Sequence, residues 1–123
     1  MIKDFTDLIA WQEAFRLSIE IYKATKTFPR NEVFGISSQM RRAAVSIPSN
    51  LAEGFARSSV KEKINFYFIS QGSATELQTQ FLIAKEIGYI DSNIFASIFA
   101  LSKNTSRLIA GLIRSSRNRL SVS

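Results

Sequence analysis

The chain has neither cysteine nor histidine. Without cysteine there is no disulfide framework, no thiol nucleophile and no thiolate metal site. Without histidine it lacks the commonest general base, the usual zinc ligand and the Glu-x-x-His pairs of di-iron bundles. Helical RNA-cleaving domains that rely on an arginine and a histidine are excluded on the same ground. Proline occurs only twice and glycine five times, with no glycine-rich phosphate loop among them. No apolar run approaches the ~20 residues of a membrane helix. The opening residues Met1-Ile2-Lys3-Asp4 show no signal-peptide hydrophobic region. A cytoplasmic, reduced location with no membrane partner is the expectation.

What is present is ordinary globular content, 46% hydrophobic and 21% charged over 123 residues. That is enough for one domain, residues 1–123, with a single core. The net charge is +6, and it is unevenly placed. From Asn93 onward there are five basic residues (Lys103, Arg107, Arg114, Arg117, Arg119) and no acidic one, while the first 92 residues hold 11 basic and 10 acidic side chains. A basic segment favours polyanions through attraction to phosphate and counterion release. These five, with Arg41, are the candidate nucleic-acid-binding residues.

Helical periodicity runs through the whole chain and strand alternation nowhere. Apolar residues at Leu8, Trp11, Phe15 and Tyr22, with Ala14, Leu17, Ile21 and Ala24 alongside, predict a helix over about 7–27, ended by Phe28-Pro29. Its apolar coverage is broad enough to require a deep place in the bundle or contact with a second chain. A second helix, about 36–56, contains Pro48. The stripe Ile36, Met40, Ala43, Ala44, Ile47, Leu51 and Phe55 stays in phase across the proline, which predicts one helix kinked there. That helix is expected to fray near Gly54 to Arg57. Ser59-Val60-Lys61-Glu62 fits a capping box opening a third helix, about 60–87. Its small middle, including Gly72, is expected to lie close to Ala43-Ala44. Gly88 supplies a left-handed cap, and Asp91 or Ser92 an N-cap for a fourth helix over about 92–115. Residues 116–123 read as a basic, frayed tail. The fold class is all-α, an antiparallel up-down-up-down four-helix bundle.

Catalysis has little to rest on. Glu53 and Glu76 on facing helices are the nearest approach to a metal site, and pairing with Arg41 or Arg42 is the better reading of them. No metal, cofactor or catalytic residue is expected. Arg42, Ser46, Asn50, Glu53 and Arg57 form a polar stripe on the second helix. Together with Pro48 and Glu76 it reads as a seam between helices or subunits, since Asn50 and Glu53 are odd choices for a phosphate site.

The motifs Phe5-x-Asp7-Leu8-x-x-Trp11-Gln12-x-Ala14, Phe28-Pro29, Glu32-x-Phe34-Gly35, Gln39-x-Arg41-Arg42-Ala43-Ala44-x-Ser46-Ile47-Pro48-Ser49-Asn50-x-Ala52-Glu53-Gly54, Gly72-Ser73-x-x-Glu76-Leu77 and Gly88-Tyr89 resemble one family over about residues 5–90. It comprises bacterial four-helix-bundle proteins encoded within intervening sequences of 23S ribosomal RNA genes. The accessory variability determinants of diversity-generating retroelements are similar. The resemblance implies a ring-like homopentamer with a positively charged surface, and no catalytic residues. It leaves two functional expectations: a non-catalytic RNA or DNA binder, or a scaffold that docks a protein such as a reverse transcriptase.

Overall fold

The computed structural model describes residues 1–122, with side chains through residue 120. Four helices follow in order: α1 (Ile9–Thr25), α2 (Ile36–Phe55), α3 (Val60–Glu86) and α4 (Ser92–Val122). Single turns of 3-10 helix at Phe5–Asp7 and Arg30–Glu32 precede α1 and α2. Each helix packs on its neighbours in sequence, and α4 closes on α1, while the backbones of the diagonal pairs α1 with α3 and α2 with α4 stay farther apart. With connections this short, neighbours run antiparallel. The described residues therefore form a square four-helix bundle.

The core is the set of apolar rows that periodicity predicts. Ala14, Leu17 and Ile21 from α1, Met40, Ile47 and Leu51 from α2, Leu77 and Phe81 from α3, and Ile109 from α4 are all essentially inaccessible. Each large side chain among them stabilises the fold by about 1.5–3 kcal/mol relative to exposure. Phe81, Phe95 and Phe99 stack at centroid separations of 5.2 and 5.0 Å, joining α3 to the start of α4.

α2 continues as one helix through Pro48, which is itself buried. Proline has no N–H, so the Ala44 carbonyl loses its usual donor. The Ser18 hydroxyl of α1 donates to that carbonyl at 2.9 Å, sharing its single proton with the Ala14 carbonyl at 3.0 Å. From the other side the Ser70 hydroxyl of α3 donates to the Ile47 carbonyl at 2.8 Å. The Asn50 amide donates to the Ser46 carbonyl at 2.8 Å and to the Ser46 hydroxyl at 2.9 Å. Three carbonyls around the proline thus receive side-chain donors, two of them from neighbouring helices.

The close approach of α2 and α3 occurs elsewhere than glycine placement alone suggests. Gly72 faces open space. Gly54 is the contact glycine: a Cβ there would lie 2.8 Å from the Phe66 Cβ, 2.9 Å from the Tyr67 ring and 3.1 Å from the Lys63 carbonyl. That contact holds the end of α2 in helical form through Phe55, where fraying is expected from propensity alone. Facing Ala43 and Ala44, the small middle of α3 contributes Ser70, Ser73 and Ala74 rather than Gly72.

The helix caps match their chemistry. Ser59 Oγ accepts from the Glu62 amide at 3.1 Å, although the Glu62 carboxylate meets the Ser59 hydroxyl rather than its amide. Gly88 has φ +88°, and Asp91 Oδ1 accepts from the Ile94 amide at 2.9 Å. The C-terminal end of α2 is closed by Lys63, whose Nζ donates to the Phe55 carbonyl at 2.6 Å.

Residues 116–122, expected as a frayed tail, continue α4; residue 123 lies outside the described residues. Ser116 is fully buried and donates to the Leu112 carbonyl at 2.8 Å, and Arg117 lies over the Phe68 ring of α3 at 5.1 Å. The tail is helical because α3, at 27 residues, is long enough to give it a surface to pack on. Arg119 lies near enough to Lys63 to act on it. Burial, and then the charge of Arg119, hold the Lys63 amine below its ordinary value of 10.5.

Two outcomes follow from these contacts. Ser18→Ala should cost about 1 kcal/mol in chemical denaturation, and clearly less in a Pro48→Ala background, where residue 48 regains an amide for Ala44. Additive costs in that double-mutant cycle would show that Ser18 does not replace the missing donor. Arg119→Gln should raise the Lys63 pKa, read from the side-chain carbon shift in an NMR titration; an unmoved titration would place Arg119 elsewhere. Because the folded-state value is depressed, charged Lys63 weakens the fold below that value. The penalty fades as pH rises from there to the unfolded value.

Candidate nucleic-acid interface

The candidate basic residues of α4 do not share one face. At 100° per residue, Lys103, Arg107, Arg114 and Arg117 fall within an arc of about 80° on the outer side of α4, a stripe about 21 Å long. All four are exposed. Arg119 lies roughly on the opposite side of the helix, towards Lys63. It does not join the stripe, because two residues of helix turn the side chain through more than half a circle.

Neighbouring helices fix the stripe's position. Lys103 Nζ lies 5.5 Å from the Phe99 ring centroid, and Arg117 sits over Phe68. Arg107 donates to Asn104 Oδ1, whose amide donates to Glu13 Oε2 of α1 at 3.0 Å. Glu13 in turn pairs with Arg16 at 3.2 Å. These contacts orient long side chains and leave a cationic row facing outward. Guanidinium groups suit phosphate because their planar N–H forks meet two oxygens at once.

Arg41 lies apart from this row. Its Nε donates to Thr25 Oγ1 at 2.7 Å and its Nη2 to the Tyr22 carbonyl at 3.5 Å, with the guanidinium 4.7 Å from the Tyr22 ring centroid. It joins α2 to the end of α1. Nothing in the sequence motif signals Thr25 or Tyr22 as its partners, since they lie 16 and 19 residues away.

The polar stripe of α2 divides into three parts. Ser46 and Asn50 lie against α3, where the Ser46 and Ser73 hydroxyls bond at 2.9 Å. Arg57 and Glu53 pair with each other at 2.6 Å on the surface, with Arg57 over the Phe66 ring at 4.7 Å. Arg42 bonds Ser38 at 3.4 Å, while the Glu76 carboxylate accepts from the Gln80 amide at 3.4 Å. Among the described residues, neither Glu53 nor Glu76 pairs with Arg41 or Arg42. Their helix positions leave them nearer to local partners. Arg42 and Glu76 instead flank a polar groove of about 480 Å³ that also includes Gln39, Ser46 and Ser73. The Oε1 of Gln80, beside this groove in sequence, is buried without a hydrogen-bond partner.

Two apolar faces complete the surface. On α1, Phe15, Ile19 and Tyr22 are exposed at helical spacing and, with Val45 and Pro48 of α2, line a groove of about 400 Å³. Towards the end of α3, Ile83 is exposed, with Ile87 just past the helix, and Ile69 is exposed farther up the helix, beyond Glu76. Among the described residues there is no group of three or more carboxylates placed to hold a metal. No helix of the described residues is long and apolar enough to cross a membrane.

The family model described as 23S rRNA-intervening sequence protein matches residues 6–111 of the chain. The fold is similar to a crystal structure, at 1.70 Å, of a protein of unknown function from the S23 ribosomal protein family of Bacteroides thetaiotaomicron. The two superpose with a TM-score of 0.79 at 20% identity, covering 86% of this chain and 96% of that one. No curated protein matches the sequence. With the family model spanning α1, α2, α3 and most of α4, the chain belongs to the 23S rRNA-intervening sequence protein family.

Proposed function

We propose that the protein is a non-catalytic nucleic-acid binder that works as a homo-oligomer. The observation that carries this reading is the row Lys103, Arg107, Arg114 and Arg117 on the outer side of α4, in a stretch without an acidic residue. A phosphate backbone meets such a row without any need for base-specific geometry. The family's connection with ribosomal RNA makes structured RNA the ligand to test first, with DNA second. A cytoplasmic location agrees with this role.

Self-association is supported by the exposed apolar residues of α1 and those at and beyond the end of α3. Phe15, Ile19 and Tyr22 lie on the side of α1 next to Val45 and Pro48 of α2, and the exposed isoleucines of α3 form a separate, unlike patch. Two unlike patches on one protomer suit a heterologous contact, which gives a ring when the rotation between neighbours closes. Five subunits is the number that the family resemblance implies.

Replacing Lys103, Arg107, Arg114 and Arg117 together by glutamine should leave the helical content intact and weaken RNA binding. The slope of log affinity against log salt should fall by about three to four, close to one for each phosphate that is no longer neutralised. An unchanged slope would move the interface off α4. Assembly is tested by light scattering on Ile19→Lys and Ile83→Lys. Each alone should be monomeric, whereas mixing them should give a dimer and nothing larger, since one intact face of each variant remains to pair. A mixture that stays monomeric would rule out α1 of one copy docking on α3 of the next.

A further inference from the structure

Two polar stripes meet where α2 packs on α3. On α2, Gln39, Arg42 and Ser46 recur at helical spacing, and on α3 Ser73, Glu76 and Gln80 do the same, so each set occupies one face of its helix. The α2 set, with Ser73 and Glu76, lines the groove of about 480 Å³, within the range of small-molecule sites. Around Ser46 and Ser73 the polar groups are satisfied: the two hydroxyls bond at 2.9 Å, and the Asn50 amide donates to Ser46 Oγ at 2.9 Å. Around Arg42 and Glu76 they are not. These two carry opposite charges on facing walls, yet form no ion pair among the described residues. Arg42 donates to Ser38 at 3.4 Å, which leaves most of its N–H donors for a ligand. Gln80, one turn beyond Glu76, is only 8% exposed. Its Nε2 donates to Glu76 Oε2 at 3.4 Å, and its Oε1 is buried with no hydrogen-bond partner among the described residues.

A buried carbonyl oxygen without a donor is costly in a folded chain. Turning the Gln80 amide over does not remove the cost, since Oε1 would then face the Glu76 carboxylate and Nε2 would lose its acceptor. The α3 wall therefore brings two acceptors together, a carboxylate and an amide carbonyl, which calls for a cationic group rich in donors. The α2 wall offers the complement, a planar guanidinium fork matched to a carboxylate. The charges of Arg42 and Glu76 cancel, which favours a ligand with no net charge over a phosphate ester or a polyamine. We propose that the α2–α3 groove, independently of the α4 row, binds a free α-amino acid as its zwitterion. Its carboxylate meets Arg42 and its ammonium meets Glu76 and Gln80, while Gln39 and the two serines favour a polar side chain.

The test is an amide-resolved NMR titration of the full chain with L-glutamine, N-acetyl-L-glutamine and L-glutaminamide; the second lacks the ammonium and the third the carboxylate. L-glutamine should give saturable shifts centred on Gln39 to Ser46 and Ser73 to Gln80, and each blocked form should bind about tenfold more weakly or worse. Arg42→Gln and Glu76→Gln, both at exposed positions, should fold and each weaken binding about tenfold. Gln80→Met, which removes the unpartnered oxygen at similar volume, should weaken it severalfold with helical content unchanged. No saturable shift with L-glutamine, equal binding of either blocked form, or an affinity indifferent to Arg42→Gln, Glu76→Gln or Gln80→Met would overturn the proposal. Shifts at the same amides on dilution, with no response to L-glutamine, would assign the groove to a second copy of the chain and overturn it as well. The α4 quadruple glutamine variant should bind L-glutamine as the parent does. Failure at this groove is therefore separable from failure of the α4 interface.

Discussion

The bundle depends on a hydrogen bond that α2 cannot make. Pro48 lies in the middle of a buried helix and leaves the Ala44 carbonyl without its backbone donor. A bare carbonyl in a dry interior costs about 1–3 kcal/mol, so the site is tenable only with donors from outside the helix. Ser18 supplies one at Ala44, and Ser70 supplies another at Ile47. Each hydroxyl is directional, so the two fix the height of α1 and α3 against α2. Apolar contacts alone would permit sliding, because Leu and Ile pack nearly as well a fraction of a turn away.

That register sets the rest of the surface. With α2 and α3 locked near Pro48, Gly54 meets Phe66 and Tyr67, and Lys63 reaches the last carbonyl of α2. The start of α3 then offers Phe68 and Tyr67 as a surface for the end of α4. α4 stays helical to Val122 and its cationic row becomes a straight, rigid feature. A frayed tail would present the same charges to a polyanion only at an entropic cost. The α1 contact likewise aims Phe15, Ile19 and Tyr22 outward beside Val45, which leaves an apolar face on a protomer that has already filled its core.

Much of the bundle is legible along the chain. Apolar spacing places the four helices, Ser59 and Asp91 mark two N-termini, and Gly88 marks a turn. These signals are local: a cap or a left-handed glycine acts within four residues of itself. The family is legible too, through the block around Pro48. Less local features are not. Gly72 and Gly54 look alike in sequence, and only the crossing of α2 and α3 decides that Gly54 is the one in contact. Ser18 stands out as a polar residue in an apolar row, but its partner lies 26 residues away.

An all-helical chain, the phase of its apolar rows, the proline within α2 and the basic excess after Asn93 can be read along the chain, since each depends on composition or on spacing within one helix. Tertiary structure alone decided which charges act together. It set Arg119 against Lys63 and away from Lys103, Arg107, Arg114 and Arg117. It gave Glu53 to Arg57 and tied Arg41 to Thr25. The physical reason is the same in each case: charge recognition depends on distances of a few ångströms between side chains, and only the packing of one helix on another sets those distances.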